Sequence, residues 1–250
     1  MSELRIGIPD QDRALQALRD TDELAQRLAD LGARPVWVTY GDSQRTIDLL
    51  AAGDLHVAAT GPVPPLRARS EGVDVVYVAA CAPAPVRARV LVRSGSAVTG
   101  VGDLRGRRVA IERGSAPTLA LAELLDRSGG GVVYRDLDLE LLPSELARRA
   151  LIDGHVDAWF DHTGQFGAAI EELPASAIET TDQTVWFARR DAPAPLVEAL
   201  LATIALDPCA AEPITRTFLT EQQRRADLLA GQGAIGLPVD LGACADVAPA

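Results

Sequence analysis

Lysine is missing from this 250-residue chain, and all 24 basic residues are arginine. That excludes Schiff-base chemistry on a lysine, a lysine general base and a phosphate loop built on lysine. Cysteine is scarce as well. Cys81, Cys209 and Cys244 are odd in number and widely separated, which suggests neither a disulfide framework nor a zinc cluster and fits a reducing compartment. No His, Cys and carboxylate spacing marks a metal site, and no cofactor is expected. Positive charge is in deficit: a net charge of −11 lacks the basic face that nucleic acid requires. No run of about 20 apolar residues is present, so membrane insertion is not expected.

The chain begins Met1-Ser2-Glu3 and runs straight into Leu4-Arg5-Ile6-Gly7-Ile8, which reads as a first core strand. That leaves no room for the charged, apolar and cleavage regions of an export signal, so the reading is a soluble cytoplasmic protein. The alternative is that an export signal has been trimmed away, which would make it periplasmic or an extracellular lipoprotein.

What is present is an alternation of apolar runs and amphipathic stretches, and one unit of it occurs twice. Leu50-Ala51-Ala52-Gly53-Asp54-Leu55-His56-Val57-Ala58-Ala59-Thr60-Gly61 is matched later by Leu151-Ile152-Asp153-Gly154-His155-Val156-Asp157-Ala158-Trp159-Phe160-Asp161-His162. Each reads as a helix closed by glycine, a short buried strand and a polar loop. Two such units imply two similar α/β lobes. Loops at the carboxyl ends of strands are where an open α/β sheet meets its ligand, so Thr60-Gly61 and Asp161-His162 become candidate site residues.

The remaining pattern is consistent with this. Arg13 to Leu31 has leucines at helical spacing with a break at Asp20-Thr21-Asp22, and Pro35 to Tyr40 reads as a strand. Asp42 or Ser43 caps a helix running to Gly53, Val73 to Ala80 is a continuous strand, and Arg87 to Arg93 alternates. Gly114-Ser115-Ala116-Pro117 opens a helix over Thr118 to Arg127, Val132-Val133-Tyr134 reads as a strand, and Pro143 to Ile152 as a helix. Val185 to Ala188 begins a return crossing, with helices near Leu196–Leu206 and Ile214–Leu229 after it.

Ala59-Thr60-Gly61-Pro62-Val63-Pro64-Pro65, Val76 to Ala80, Val101-Gly102-Asp103-Leu104-Arg105-Gly106-Arg107-Arg108-Val109-Ala110, Gly114-Ser115 and Gly154-His155-Val156-Asp157-Ala158-Trp159 follow one another in an order with a known counterpart. Over residues 4 to 200 the chain resembles the aliphatic-sulfonate, taurine and nitrate group of type II periplasmic binding proteins. The resemblance implies two Rossmann-like α/β lobes joined by two crossing segments, with a small organic anion in the cleft between them. Residues 1–85 would form the first part of lobe I and 86–185 lobe II, with 186–250 returning to lobe I and adding the C-terminal helices.

The residues themselves also point to an anion. Amides at a helix start, joined by the Ser115 hydroxyl, favour negative charge. The ligand-binding candidates are Gln11, Arg13, Ser43, Thr60, Gly61, Gly114, Ser115, Ala116 and Trp159. Departures from the family suggest chemistry. Pro9-Asp10-Gln11-Asp12-Arg13 places carboxylates where the transport members are small and polar, although Asp10 or Asp12 could equally cap a helix. Asp161 and His162 combine a carboxylate with a group that titrates near neutrality. His162, Asp10 and Asp161 are therefore the catalytic candidates. His56, His155 and Asp157 read as structural, and Cys81 as a buried thiol or, less simply, a nucleophile. The leading expectation is a cofactor-independent lyase that performs elimination, desulfination or decarboxylation, as enzymes sharing this fold do. The alternative is the non-catalytic binding component of an ABC transporter, partnered by a permease.

Overall fold

The computed structural model describes residues 1–10, 13–41, 45–129, 131–162, 164, 167–205 and 211–242, with the side chains of 13 and 14 also set aside. Its elements in chain order begin with β1 (Ser2–Pro9), α1 (Arg13–Arg19), α2 (Glu23–Asp30), β2 (Ala33–Tyr40), α3 (Arg45–Ala52), β3 (Val57–Thr60), α4 (Val63–Ser70) and β4 (Val75–Ala80). There follow β5 (Ala84–Arg93), β6 (Arg108–Ile111), α5 (Ser115–Ser128), β7 (Asp138–Leu141), α6 (Ser144–Asp153), β8 (Ala158–Asp161), β9 (Ile170–Glu172) and β10 (Ile178–Asp182). The last are β11 (Val185–Arg189), α7 (Ala194–Ile204) and α8 (Arg216–Gln232). They form two compact units. Unit 1 comprises residues 1–83, 183–224 and 239–250, and unit 2 comprises 84–182 and 225–238.

Unit 1 is built on a five-stranded sheet ordered β2-β1-β3-β11-β4, parallel except for β11. Leu4, Ile6 and Ile8 of β1 alternate onto one face, where α1, α2 and α7 add Leu15, Leu18, Leu24, Leu28 and Leu200 to a single core cluster. On the opposite face Gly7 permits close packing. A Cβ there would stand 2.6 Å from Leu55 Cδ1 and 2.9 Å from Tyr40 Cε1. The break at Asp20-Thr21-Asp22 is real and separates α1 from α2.

In unit 2 the order is β10-β5-β8-β6-β7, with β9 added to β5. The period of two divides its core cleanly. Val90 of β5, Val109 and Ile111 of β6 and Phe160 of β8 pack with Leu121, Leu124 and Leu125 of α5. Leu91, Ala110 and Trp159 point the other way, to Ala147 and Leu151 of α6.

Three features differ from the sequence reading or go beyond it. Helix α4, for which the sequence reading gives no element, follows Pro62 and carries Pro64 and Pro65 in its first turn, where prolines forfeit only N–H groups that would be unpaired anyway. Val132-Val133-Tyr134 is not a strand. A 3₁₀ turn covers Tyr134–Asp136, with the Val133 N–H donating to Asp136 Oδ2 at 3.2 Å, and the strand comes later as the acidic edge strand β7. The antiparallel strands β9 and β10 against β5 were not anticipated.

Candidate functional site

The two repeats fold alike down to individual hydrogen bonds. Gly53 and Gly154 close α3 and α6 with φ of +78° and +77°. The next two amides turn back to one helical carbonyl each: Asp54 and Leu55 to Leu49 O, His155 and Val156 to Ala150 O. Arg5 of β1 donates to Gly53 O at 2.6 Å, and Arg108 of β6 reaches Gly154 O at 3.5 Å. His56 N donates to Arg5 O at 2.9 Å while its Nδ1 accepts from Arg5 N at 3.1 Å. Asp157 does the same toward Arg108, its N donating at 2.8 Å and its Oδ2 accepting at 3.0 Å. His56 is thus a fixed acceptor. Burial, then Arg5 and Arg189, push its pKa below the ordinary 6.5.

The strands of the repeats deliver the candidate residues. In unit 1, β3 ends at Thr60, which is 2% exposed and donates its hydroxyl to Gly61 O at 2.8 Å. Asp10, after β1, is exposed, and its backbone N–H donates to Tyr40 O at 3.0 Å. Its own carbonyl accepts from the Gln16 side chain. Tyr40 and Thr46 bury hydroxyls beside each other without reaching hydrogen-bond geometry, and burial pushes the Tyr40 phenol above its ordinary range. Gln11 and Ser43 lie outside the described residues, as does the side chain of Arg13, whose backbone opens α1.

In unit 2 the parallel pairing of β6 with β8 sets Ile111 against Phe160 and so brings the residues after each strand together. His162 Nε2 lies 3.4 Å from Glu112 Oε2, and the Ser144 hydroxyl at the start of α6 donates to the same oxygen at 3.1 Å. Gly114 precedes α5, Ser115 and Ala116 are its first residues, and Gly114 O accepts from the Thr118 hydroxyl at 2.8 Å. The Ser115 residue is 9% exposed, yet among the described residues its Oγ has no hydrogen-bond partner. His162 Nδ1 is likewise buried and, among the described residues, partnerless.

Asp161 is separate from this cluster. It is fully buried, accepts from Gly164 N at 3.0 Å and sits 3.7 Å from Arg89 Nε of β5. Trp159 is 2% exposed, with its ring in the core cluster under α6. The structure therefore joins His162 to Glu112 and Ser144, neither of which the sequence reading singled out. Glu112 could have been found by the strand-end rule that selected His162, since it directly follows β6. Among the described residues no group of three or more His, Cys, Asp or Glu side chains could hold a metal, and no helix is long and apolar enough to cross a membrane.

Residues 36–193 match the family described as NMT1/THI5 like. An Escherichia coli (strain K12) protein named for binding aliphatic sulfonates is 31% identical over 134 residues, 54% of this chain. The matched stretch spans 41% of that protein's length. The alkanesulfonate-binding protein SsuA from Xanthomonas axonopodis pv. citri, solved with MOPS, superposes with a TM-score of 0.70 at 24% identity, covering 96% of both chains. The periplasmic aliphatic sulphonate binding protein SsuA from Escherichia coli gives 0.67 at 23% identity, again over 96% of each. The fold is that of the periplasmic binding proteins.

Proposed function

From the premise that this chain belongs to the NMT1/THI5-like family, we propose that it binds a small anion of the sulfonate class without transforming it. In this reading it is the substrate-binding component of an ABC transporter and works outside the cytoplasm beside a permease. The observation that carries the reading is Ser115. It is the first residue of a 14-residue helix, and its buried hydroxyl has no hydrogen-bond partner among the described residues. A buried hydroxyl is ordinarily hydrogen-bonded, and a helix start supplies free N–H groups and positive potential. An anion oxygen satisfies both requirements. Local donors must supply the attraction, because a chain of net charge −11 repels anions at long range. The names of the relatives support the sulfonate class and, for the Escherichia coli structure, the periplasmic setting.

The lyase reading gains no comparable support. Asp161 is engaged with Arg89 and a backbone amide, and the relatives are described as binding proteins. Calorimetric titration with ethanesulfonate, hexanesulfonate, taurine and nitrate is the test. At least one should bind with micromolar affinity, and Ser115→Ala should weaken it by roughly 10-fold or more, the worth of one hydrogen bond to a charged group. Absence of binding by all four would overturn the proposal. Recovery of a chemically altered ligand would bring back the lyase reading.

A further inference from the structure

We infer that His162 contacts the anion directly as an imidazolium held by Glu112, so that ligand binding takes up a proton; the inference rests on the anion-binding reading above. The geometry points to it through both ring nitrogens. Nε2 lies 3.4 Å from Glu112 Oε2, and the Ser144 hydroxyl, 3.1 Å from that oxygen, fixes the carboxylate. Nδ1 is buried with no partner among the described residues, as is the Ser115 Oγ at the head of α5. The pairing of Ile111 with Phe160 puts the segments that carry these two partnerless atoms after neighbouring strands. Two such atoms, each on a segment that follows one of these neighbouring strands, mark a place for an outside group with acceptor oxygens.

Proton bookkeeping then follows from the chemistry. A neutral ring that donates Nε2–H to Glu112 leaves a lone pair on Nδ1, which repels a sulfonate oxygen. Only the doubly protonated ring can donate to Glu112 and to the anion together. An arriving anion tips the balance toward the charged ring, drawing one proton from solvent, and by reciprocity a proton already bound tightens the anion.

Glu112 faces the ring directly, and the other polar and charged groups on the neighbouring segments come from four elements. Glu112 and the exposed Arg113 lie in the loop after β6, Ser115 starts α5 and Ser144 starts α6. Asp161, the preceding residue on β8, is occupied by Arg89 of β5 and by Gly164 N.

The test uses the whole protein with ethanesulfonate and nitrate, neither of which titrates near neutrality. Calorimetry in Tris and in imidazole, both free of sulfonate, reads proton uptake from the difference in heats. Uptake approaching one proton is expected at alkaline pH. The affinity should fall by about 10-fold per pH unit above the range in which the ring titrates, because only the protonated fraction binds. H162Q should abolish the uptake and leave the affinity flat with pH, and E112Q should move the fall to lower pH. Wild-type uptake needs no variant, so the test survives a substitution that fails to fold. Tight binding with no uptake and no pH dependence would overturn the inference and leave the anion reading standing. Failure of the wild type to bind any of ethanesulfonate, hexanesulfonate, taurine and nitrate from pH 5.5 to 8.5 would overturn both.

Discussion

Two stretches of this chain, 45–61 and 144–162, solve the same backbone problem with different side chains. In each, a helix ends on a left-handed glycine, an arginine from the neighbouring strand reaches that glycine's carbonyl, and a side chain three residues on accepts the arginine's backbone N–H. Unit 1 uses His56 as the acceptor where unit 2 uses Asp157. One strand ends in Thr60, self-sufficient through Gly61 O, and the other in Asp161, a buried carboxylate beside Arg89. The difference teaches that the turn is set by backbone geometry and by the position of an acceptor rather than by that acceptor's identity. Side-chain variation is then free to diverge at the strand ends, the position where open α/β sheets in general meet their ligands.

The comparison can be broken most sharply at its strand ends. Asp161→Ala removes the carboxylate beside Arg89, whose side chain is 14% exposed, and should cost about 3 kcal/mol, the scale for breaking a buried ion pair. Thr60→Val, at the equivalent position, gives up one local hydrogen bond and should cost about 1 kcal/mol. Urea denaturation of the two variants should preserve that order, and equal losses would show that Asp161 is no more embedded than Thr60.

A smaller and symmetrical effect is expected at the glycines. Gly53→Ala and Gly154→Ala force a Cβ into left-handed backbone, at roughly 1–2 kcal/mol each. The new atom would also stand 2.9 Å from Arg189 Nη1 in the first case and 3.0 Å from Arg93 Nη1 in the second. Their denaturation midpoints should therefore fall by similar amounts. A loss confined to one variant would mean that one repeat can relax its turn.

The smallest effect separates the two acceptors by pH. The folded-state pKa of His56 is lowered from 6.5 by burial and by Arg5 and Arg189. Its contribution to stability is thus complete above about 6.5 and is lost as pH falls through the lowered folded value, where the unfolded chain already binds the proton. His56→Asp keeps an acceptor for Arg5 N and should flatten that part of the stability–pH curve. Asp157→His should install the same acid sensitivity in unit 2.

Much of this fold was legible because buried parallel strands are continuous apolar runs and their helices end on glycine. Val75–Ala80 and the break between α1 and α2 needed nothing more. What failed did so for physical reasons. Proline conceals a helix when it fills the first turn, as in α4, and Asp138–Leu141 is a strand through its pairing with β6 despite acidic residues that argue against it. At the site, Ser115 and His162 could be picked out from their positions at a helix start and a strand end. Glu112 is paired with His162 by the register of β6 on β8, a contact across 50 residues that no local pattern encodes.

The mirrored acceptors also give the molecule two built-in clocks. The amide of Arg5 is held by an imidazole nitrogen and that of Arg108 by a carboxylate oxygen, each locked to the glycine turn of its own unit. Hydrogen exchange at these two sites times the opening of each turn separately. Protonation of His56 in mild acid should lower the protection of the Arg5 amide, read against the slower intrinsic exchange at that pH, so spectra recorded at two pH values follow the unit 1 turn.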